Sequence, residues 1–269
     1  MRQIISSIFR WSFNFLIDNW ISTLSVLIFF FLWYLVTSGF SWVGANYLPS
    51  PSEVFFAFKK WAVRPIAGET IWGHMLVSLW LIIFSFFIAI LIGLPLGILM
   101  GWFKEIDRIV NPIFQLIRPI PPLAWIPLAI LWFGIGIISK MFVICLAAFV
   151  PSLINAYTGI KTVDPLLVNA ARTFGAKQKD ILKRVAIPHC LAYIFAGIRL
   201  SLTACWMTLV AAELVAASAG LGYSMQMARR TLDPPIIFVS MITIGLIGMM
   251  MIKIVKYIEN KTCPWLQNT

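Results

Sequence analysis

Long apolar stretches, separated by short charged ones, dominate the chain. Asn19 to Ser52 carries no charge and has its apolar core at Leu24–Phe40. Thr70 to Phe103 runs uncharged for 34 residues. Pro119–Ser139 and Met141–Ile160 follow; Val185–Ala212 is interrupted only by Arg199, and Pro234–Ile252 is the last run. A membrane-crossing helix needs about 20 mostly apolar residues. The pattern therefore predicts six spans, about 22–40, 73–101, 106–134, 138–160, 189–213 and 235–257. The expected fold is an all-α polytopic membrane protein. Its transmembrane domain covers residues 21–258, a cytoplasmic segment covers 161–188, and a cytoplasmic tail covers 259–269. The first apolar core is too long for a signal peptide and follows a lead of about 20 residues, so it reads as a retained anchor.

Two stretches have the period of helices lying along the membrane. Residues 2–19 place Ile4, Ile5, Ile8, Phe9, Phe13, Leu16 and Ile17 near one face, which predicts an interfacial helix over residues 1–20 with Trp11 and Trp20 as anchors. Residues 52–62 predict a short amphipathic helix capped by Ser52.

Composition agrees with the pattern. Apolar residues make up 61% of the chain and charged residues 12%; soluble domains carry about 45–50% and about 25%. So few charges cannot cover a soluble surface of this size, which excludes an ordinary soluble enzyme. The net charge of +11 follows from the membrane rule that keeps Lys and Arg on cytoplasmic loops. Nucleic acid is excluded as a partner because no basic cluster alternates with exposed aromatics. With both chain ends inside, thirteen Lys and Arg lie inside and six outside; Arg118 and Arg199 fall within spans. The expected topology is N-in and C-in. Cys145, Cys190, Cys205 and Cys263 form no CxxC pair, so they read as buried or lipid-facing thiols and no metal site is expected.

The longest charged inside segment is Lys161–Pro188. Asp164 has the residue type of an N-cap and Pro165 that of a first helical residue. Leu166, Leu167, Ala170, Ala171 and Phe174 then share one face, and Gly175 has the residue type of a left-handed stop. A second short helix is expected over about Lys177–Val185, and Pro188 is expected to open the fifth span.

Asn169-Ala-Ala, three residues, Gly175, nine residues, then Val185-Ala-Ile-Pro188 resembles the EAA loop of ATP-binding-cassette importer permeases. The family pattern has Glu where this chain has Asn169, which keeps a hydrogen-bonding group but no charge. Arg118-Pro-Ile-Pro-Pro-Leu-Ala-Trp-Ile-Pro-Leu-Ala-Ile-Leu-Trp-Phe-Gly-Ile-Gly136 is similar to a signature of the nitrate, sulfonate, taurine and bicarbonate subfamily. So are Leu48-Pro-Ser-Pro-Ser-Glu-Val54 and the stretch from Trp206 through Ala211-Ala-Glu213 to Gly220-Leu-Gly222. The last span resembles the family in hydropathy alone.

The resemblance implies a type I importer permease: half of a transmembrane pathway, usually homodimeric, with two separate ATPase subunits and an external substrate-binding protein. ATP and Mg would sit on the ATPase, and this chain would carry no cofactor and be no enzyme. In agreement, the chain holds no GxxxxGK[ST] phosphate loop; Gly134-x-Gly-x-x-Ser-Lys140 is the nearest run and has the wrong spacing. The helix at Pro165–Phe174 would be the coupling helix, with Asp164, Gly175 and Pro188 bounding it. The implied cargo is a small anion of the nitrate, bicarbonate or sulfonate and taurine class. Permeases for thiamine-precursor pyrimidines share these motifs and give an alternative. A self-contained channel or secondary transporter is a further alternative, which would show paired repeats of broken spans.

Five residues are candidates for the pathway. Arg199 lies about 16 Å along a helix from Pro188, near mid-bilayer; it reads either as an anion-attracting group or as a structural Arg paired with a carboxylate. Arg118 precedes Pro119 and the Pro121-Pro122 pair, which must break the third span, and there it would line the pathway or satisfy freed carbonyls. Glu213 lies about 21 Å beyond Arg199, as a gate salt bridge, a binding-protein contact or a solvated helix end. Trp125 and Trp206 read as pathway or packing residues. Gly93, Gly97 and Gly101 form a small-residue stripe for helix packing, within one subunit or at a dimer seam. His74 and His189 are isolated and carry no catalytic role.

Overall fold

The computed structural model describes residues 20–40, 44 and 47–264. The interfacial helix expected over 1–20 therefore lies, except for Trp20, outside the described residues. Helix α1 is Trp20–Tyr34, continued by a π turn to Gly39; α2 is Pro51–Val63, α3 Ile71–Trp102 and α4 Lys104–Ile117. A 3-10 turn at Pro122–Trp125 leads into α5, Ile126–Phe133. Then come α6 (Ile137–Lys161), α7 (Pro165–Thr173), α8 (Gln178–Ile181), α9 (Ile187–Ala216), α10 (Leu221–Arg230) and α11 (Pro234–Thr262).

The centre of the bundle is α3, α6 and α9, packed through small residues. A Cβ on Gly97 would stand 2.4 Å from the Leu153 carbonyl oxygen, and one on Gly101 2.7 Å from the Ile160 Cβ. The Gly93–Gly97–Gly101 stripe thus packs α3 on α6 of the same subunit. On the other side of α6, a Cβ on Gly159 would meet Cys190 and Tyr193, both at 2.8 Å. Lipid tails are as apolar as leucine, so close backbone approach supplies packing that hydrophobicity cannot. Pro151 leaves a carbonyl of α6 without its donor; one residue on, Ser201 Oγ donates to the Ala148 oxygen at 2.7 Å.

The glycine stripe also sets the topology. Along α3, positions 93, 97 and 101 meet positions 152, 153 and 160 along α6, so the two helices are parallel. The chain between them must return across the bundle. It does so through α4 and α5, which meet at an 83° break. Among the described residues five helices are long and apolar enough to span, and the bent pair makes six. Prolines 119, 121 and 122 cause the break.

Three expected boundaries move. The cap of α2 is Ser50, two residues before Ser52: Ser50 Oγ accepts from Glu53 N at 3.3 Å and Glu53 Oε2 accepts from Ser50 N at 2.7 Å, with Pro51 in the first turn. The helix expected over Lys177–Val185 is not separate; α8 runs through a π turn into α9, giving one 38-residue helix over Gln178–Val215. Pro188 stands in the first turn of α9, directly after that π turn. The tail expected from residue 259 is helical through Thr262.

Candidate functional site

The loop between α6 and α9 presents α7. Asp164 Oδ1 accepts from Leu166 N at 2.8 Å, Pro165 fills the first turn, and Gly175 closes the helix at φ +77°. Beyond it, Ala176 N donates to Ala171 O at 3.1 Å, which satisfies a terminal carbonyl. Val168 turns inward, onto the cluster of Ile160, Val163, Ala186, Cys190 and Ile194. Leu166, Leu167 and Phe174 turn outward, 71%, 47% and 91% exposed. Asn169 and Ala170 are exposed and Ala171 half-buried. A cleft of about 430 Å³ opens between α7 and the following segment, with Ala171, Phe174 and Ile181 in its wall.

The end of α6 is tied to the broken span. Lys161 Nζ lies 3.2 Å from Asp107 Oδ2, and Tyr157 donates to the same oxygen at 3.1 Å. The helix before α7 is thereby fastened to α4, and the one after it continues for the width of the bundle.

The pathway candidates scatter. Arg199 pairs with Glu259 near the end of α11; its backbone lies level with the middle of α6, between the Gly197–Asn155 and Ser201–Ala148 contacts, and its side chain reaches the carboxylate there. Trp206 is buried, and its Nε1 donates to the Ile244 oxygen at 3.2 Å; it is a packing residue between α9 and α11. Trp125 meets Phe142 edge-on at 6.4 Å. Arg118 is exposed and its side chain has no partner among the described residues, so it does not satisfy freed carbonyls.

Glu213 corrects the expectation most. It is 1% exposed, neither a solvated helix end nor open to an external protein. Its Oε1 accepts from Ser78 Oγ at 2.7 Å and its Oε2 from Gly222 N at 2.8 Å. Ser78 Oγ in turn accepts from Leu221 N at 3.0 Å, and His74 Nδ1 accepts from Gly220 N at 3.0 Å. That bond leaves the proton on Nε2, which donates to the Ile66 oxygen at 3.1 Å. Three successive N–H groups at the start of α10 thus end on three buried side chains from α3 and α9. Unpaired helix-start donors cost free energy when buried, and a carboxylate there also answers the helix dipole.

Comparison with known proteins agrees with this architecture. Residues 93–261, well over half of the chain, match the family described as binding-protein-dependent transport system inner membrane component. The chain belongs to this family. The match includes the last helix, which in sequence resembled the family only in hydropathy. A probable ABC transporter permease protein of Brucella melitensis is 40% identical over 233 residues, 87% of this chain and 92% of its own length. The taurine transport system permease protein TauC of Escherichia coli is 35% identical over 257 residues, 95% of this chain and 92% of its own. The bicarbonate transport system permease protein CmpB of Synechococcus elongatus is 29% identical over 242 residues, 87% and 86% of the two chains.

The protein is thus an ABC importer permease of the taurine, sulfonate and bicarbonate subfamily, a multi-pass transport subunit of the inner membrane. Membership implies ATPase and substrate-binding-protein partners. In this permease the Ala211-Ala-Glu213 and Gly220-Leu-Gly222 motifs have a shared physical reason: the carboxylate of the first receives the backbone of the second. A Cβ on Gly220 would stand 2.3 Å from Glu213 Oε1, so the carboxylate fits only against glycine. His74 and Ser78 complete the site, and neither was a candidate in the sequence. Their only signal was two polar residues one helical turn apart at the start of an otherwise apolar span.

Proposed function

We propose that this chain is the permease subunit of an importer that moves a small anion, of the nitrate, bicarbonate or sulfonate and taurine class, driven by ATP hydrolysis on separate ATPase subunits. ATP and Mg²⁺ belong to those partners. Two copies of the chain form the pathway, with both chain ends and α7 on the cytoplasmic side. An external binding protein delivers the substrate on the opposite face.

The observation that carries this reading is α7 itself. It is a short helix, locally closed at both ends, that leaves Leu166, Leu167 and Phe174 exposed and directed away from the bundle. An exposed apolar patch joined to two long helices suits docking in a groove of a nucleotide-driven partner. Closure of that partner would move α6 and α9 together. The anion class is supported by relatives named for taurine, aliphatic sulfonates and bicarbonate.

Reconstitution tests both halves. The chain with its ATPase and binding protein is expected to carry an anion into vesicles only with ATP, and Gly175→Glu is expected to abolish substrate-stimulated ATPase activity. Transport by the chain unaided would overturn the permease mechanism. Binding by the cognate binding protein across nitrate, bicarbonate, taurine and an uncharged pyrimidine tests the cargo; preference for the pyrimidine would overturn the anion assignment alone.

A further inference from the structure

Lys140 is one of the six Lys and Arg counted outside, at the start of the expected span 138–160. It lies in the first turn of α6 and is 6% exposed. It lines a narrow cavity with Ser139, Ile126, Ile130, Val143 and Ala212, between α5, α6 and α9. Among the described residues its ammonium makes no hydrogen bond and no ion pair. Glu213 is the acidic group whose charge acts on it, but that carboxylate is already held by Ser78 and Gly222. The Ser139 hydroxyl is also committed, to the Gly136 oxygen at 3.0 Å. The Lys140 stem is buried while the ammonium keeps some accessible surface, and a cation placed in a membrane protein without a hydrogen-bonding partner is costly.

We propose that Lys140 is the anion-recognising group at the outer end of the translocation path, where it meets the charged head of the substrate as α5 separates from α6 and α9. This rests on the anion reading of the function. The cavity is about 10 Å³, room for one water at most, so the site is closed in this conformation. The joints of α5 suit such a movement. The 3-10 turn Pro122–Trp125 precedes it, and Gly134, at φ +73° with open space around it, follows. Its buried face is small, Ile126 and Ala129 against Val143 and Ala212. An ammonium is a compact charge without a fixed fork. It would accept sulfonate, bicarbonate or nitrate oxygens alike, leaving finer selection to the binding protein.

The test uses the complete complex, with ATPase and binding protein, in vesicles. Uptake of taurine, nitrate and bicarbonate is measured for wild type, Lys140→Arg, Lys140→Gln and Lys140→Met. Lys140→Gln is expected to raise KM for the transported anion about tenfold or more, the loss of a charged hydrogen bond, with unstimulated ATPase activity unchanged. Lys140→Arg is expected to keep KM within about threefold, since the charge remains. Lys140→Met, apolar and of similar length, is expected to assemble as wild type and to raise KM as Lys140→Gln does. Unchanged KM in an assembled neutral variant, or loss of assembly in both neutral variants while Lys140→Arg assembles, would overturn the proposal and leave Lys140 as a counter-charge. A wild-type complex that carries only an uncharged pyrimidine would instead overturn the anion reading on which the proposal rests.

Discussion

The two ends of the α9 helix solve opposite problems. At one end, the start of α10 is locked into the bundle: Gly220, Leu221 and Gly222 each donate to a buried side chain, and little is left over. At the other end, α7 is held mainly by local contacts. Its cap, its first-turn proline and its terminal glycine are all local, Val168 packs on the bundle, and Leu166, Leu167 and Phe174 stay exposed. Polar groups turned inward serve cohesion, because each is costly to leave unpaired in a dry interior. Apolar groups turned outward on a rigid element serve a partner.

The difference can be broken most severely at the locked end. Glu213→Ala would leave the Ser78 hydroxyl and Gly222 N–H without an acceptor, a cost of about 2–5 kcal/mol. Its thermal midpoint in detergent should fall well below wild type. Gly220→Ala should be comparably damaging, since its Cβ would collide with Glu213 in a left-handed conformation at φ +122°. A wild-type midpoint for both would show that the network holds nothing. At the exposed end the same assay should read almost nothing. Phe174→Asp is expected to change stability by less than about 0.5 kcal/mol, yet to weaken ATPase association by about 2 kcal/mol or more, as truncated aromatic anchors do. Pull-down against stability on one preparation separates the two effects.

Smaller changes sharpen the contrast. Gly175→Ala places a side chain at φ +77° and should cost about 1–2 kcal/mol, all of it local. Asp164→Ala should cost about 1 kcal/mol through the lost cap. Hydrogen exchange is expected to show both losses in α7 while α3 and α6 keep their protection. Arg118→Ala, exposed and unpartnered, should alter stability by less than about 0.5 kcal/mol; a large drop in the thermal midpoint would reveal a contact absent here.

What could be read in the chain follows the same division. Asp164, Pro165 and Gly175 were legible because a helix end is decided by residues three or four apart. The break in the third span was legible because Pro121 and Pro122 act on their own neighbours. The cap of α2 slipped by two residues because Ser50 and Ser52 offer the same hydroxyl, and only the reciprocal bond with Glu53 selects Ser50. The Glu213 network was illegible for a different reason. Its bonds join residues 135, 143 and 146 positions apart, and no local pattern encodes which carboxylate a distant backbone will meet. The burial of Lys140 was illegible for the same cause: a span was expected to begin there, but no local pattern encodes the packing of α5 and α9 that covers the side chain. Arg199 found its carboxylate 60 residues away.

Labelling of Phe174→Cys with a soluble maleimide tests the central claim most directly. The native chain serves as control, since three of its four cysteines are buried. The free variant should label readily, and the complex with ATPase should be protected at that position. Equal labelling with and without the ATPase, in a complex that still couples ATP to transport, would contradict the assignment of α7 as the docking element.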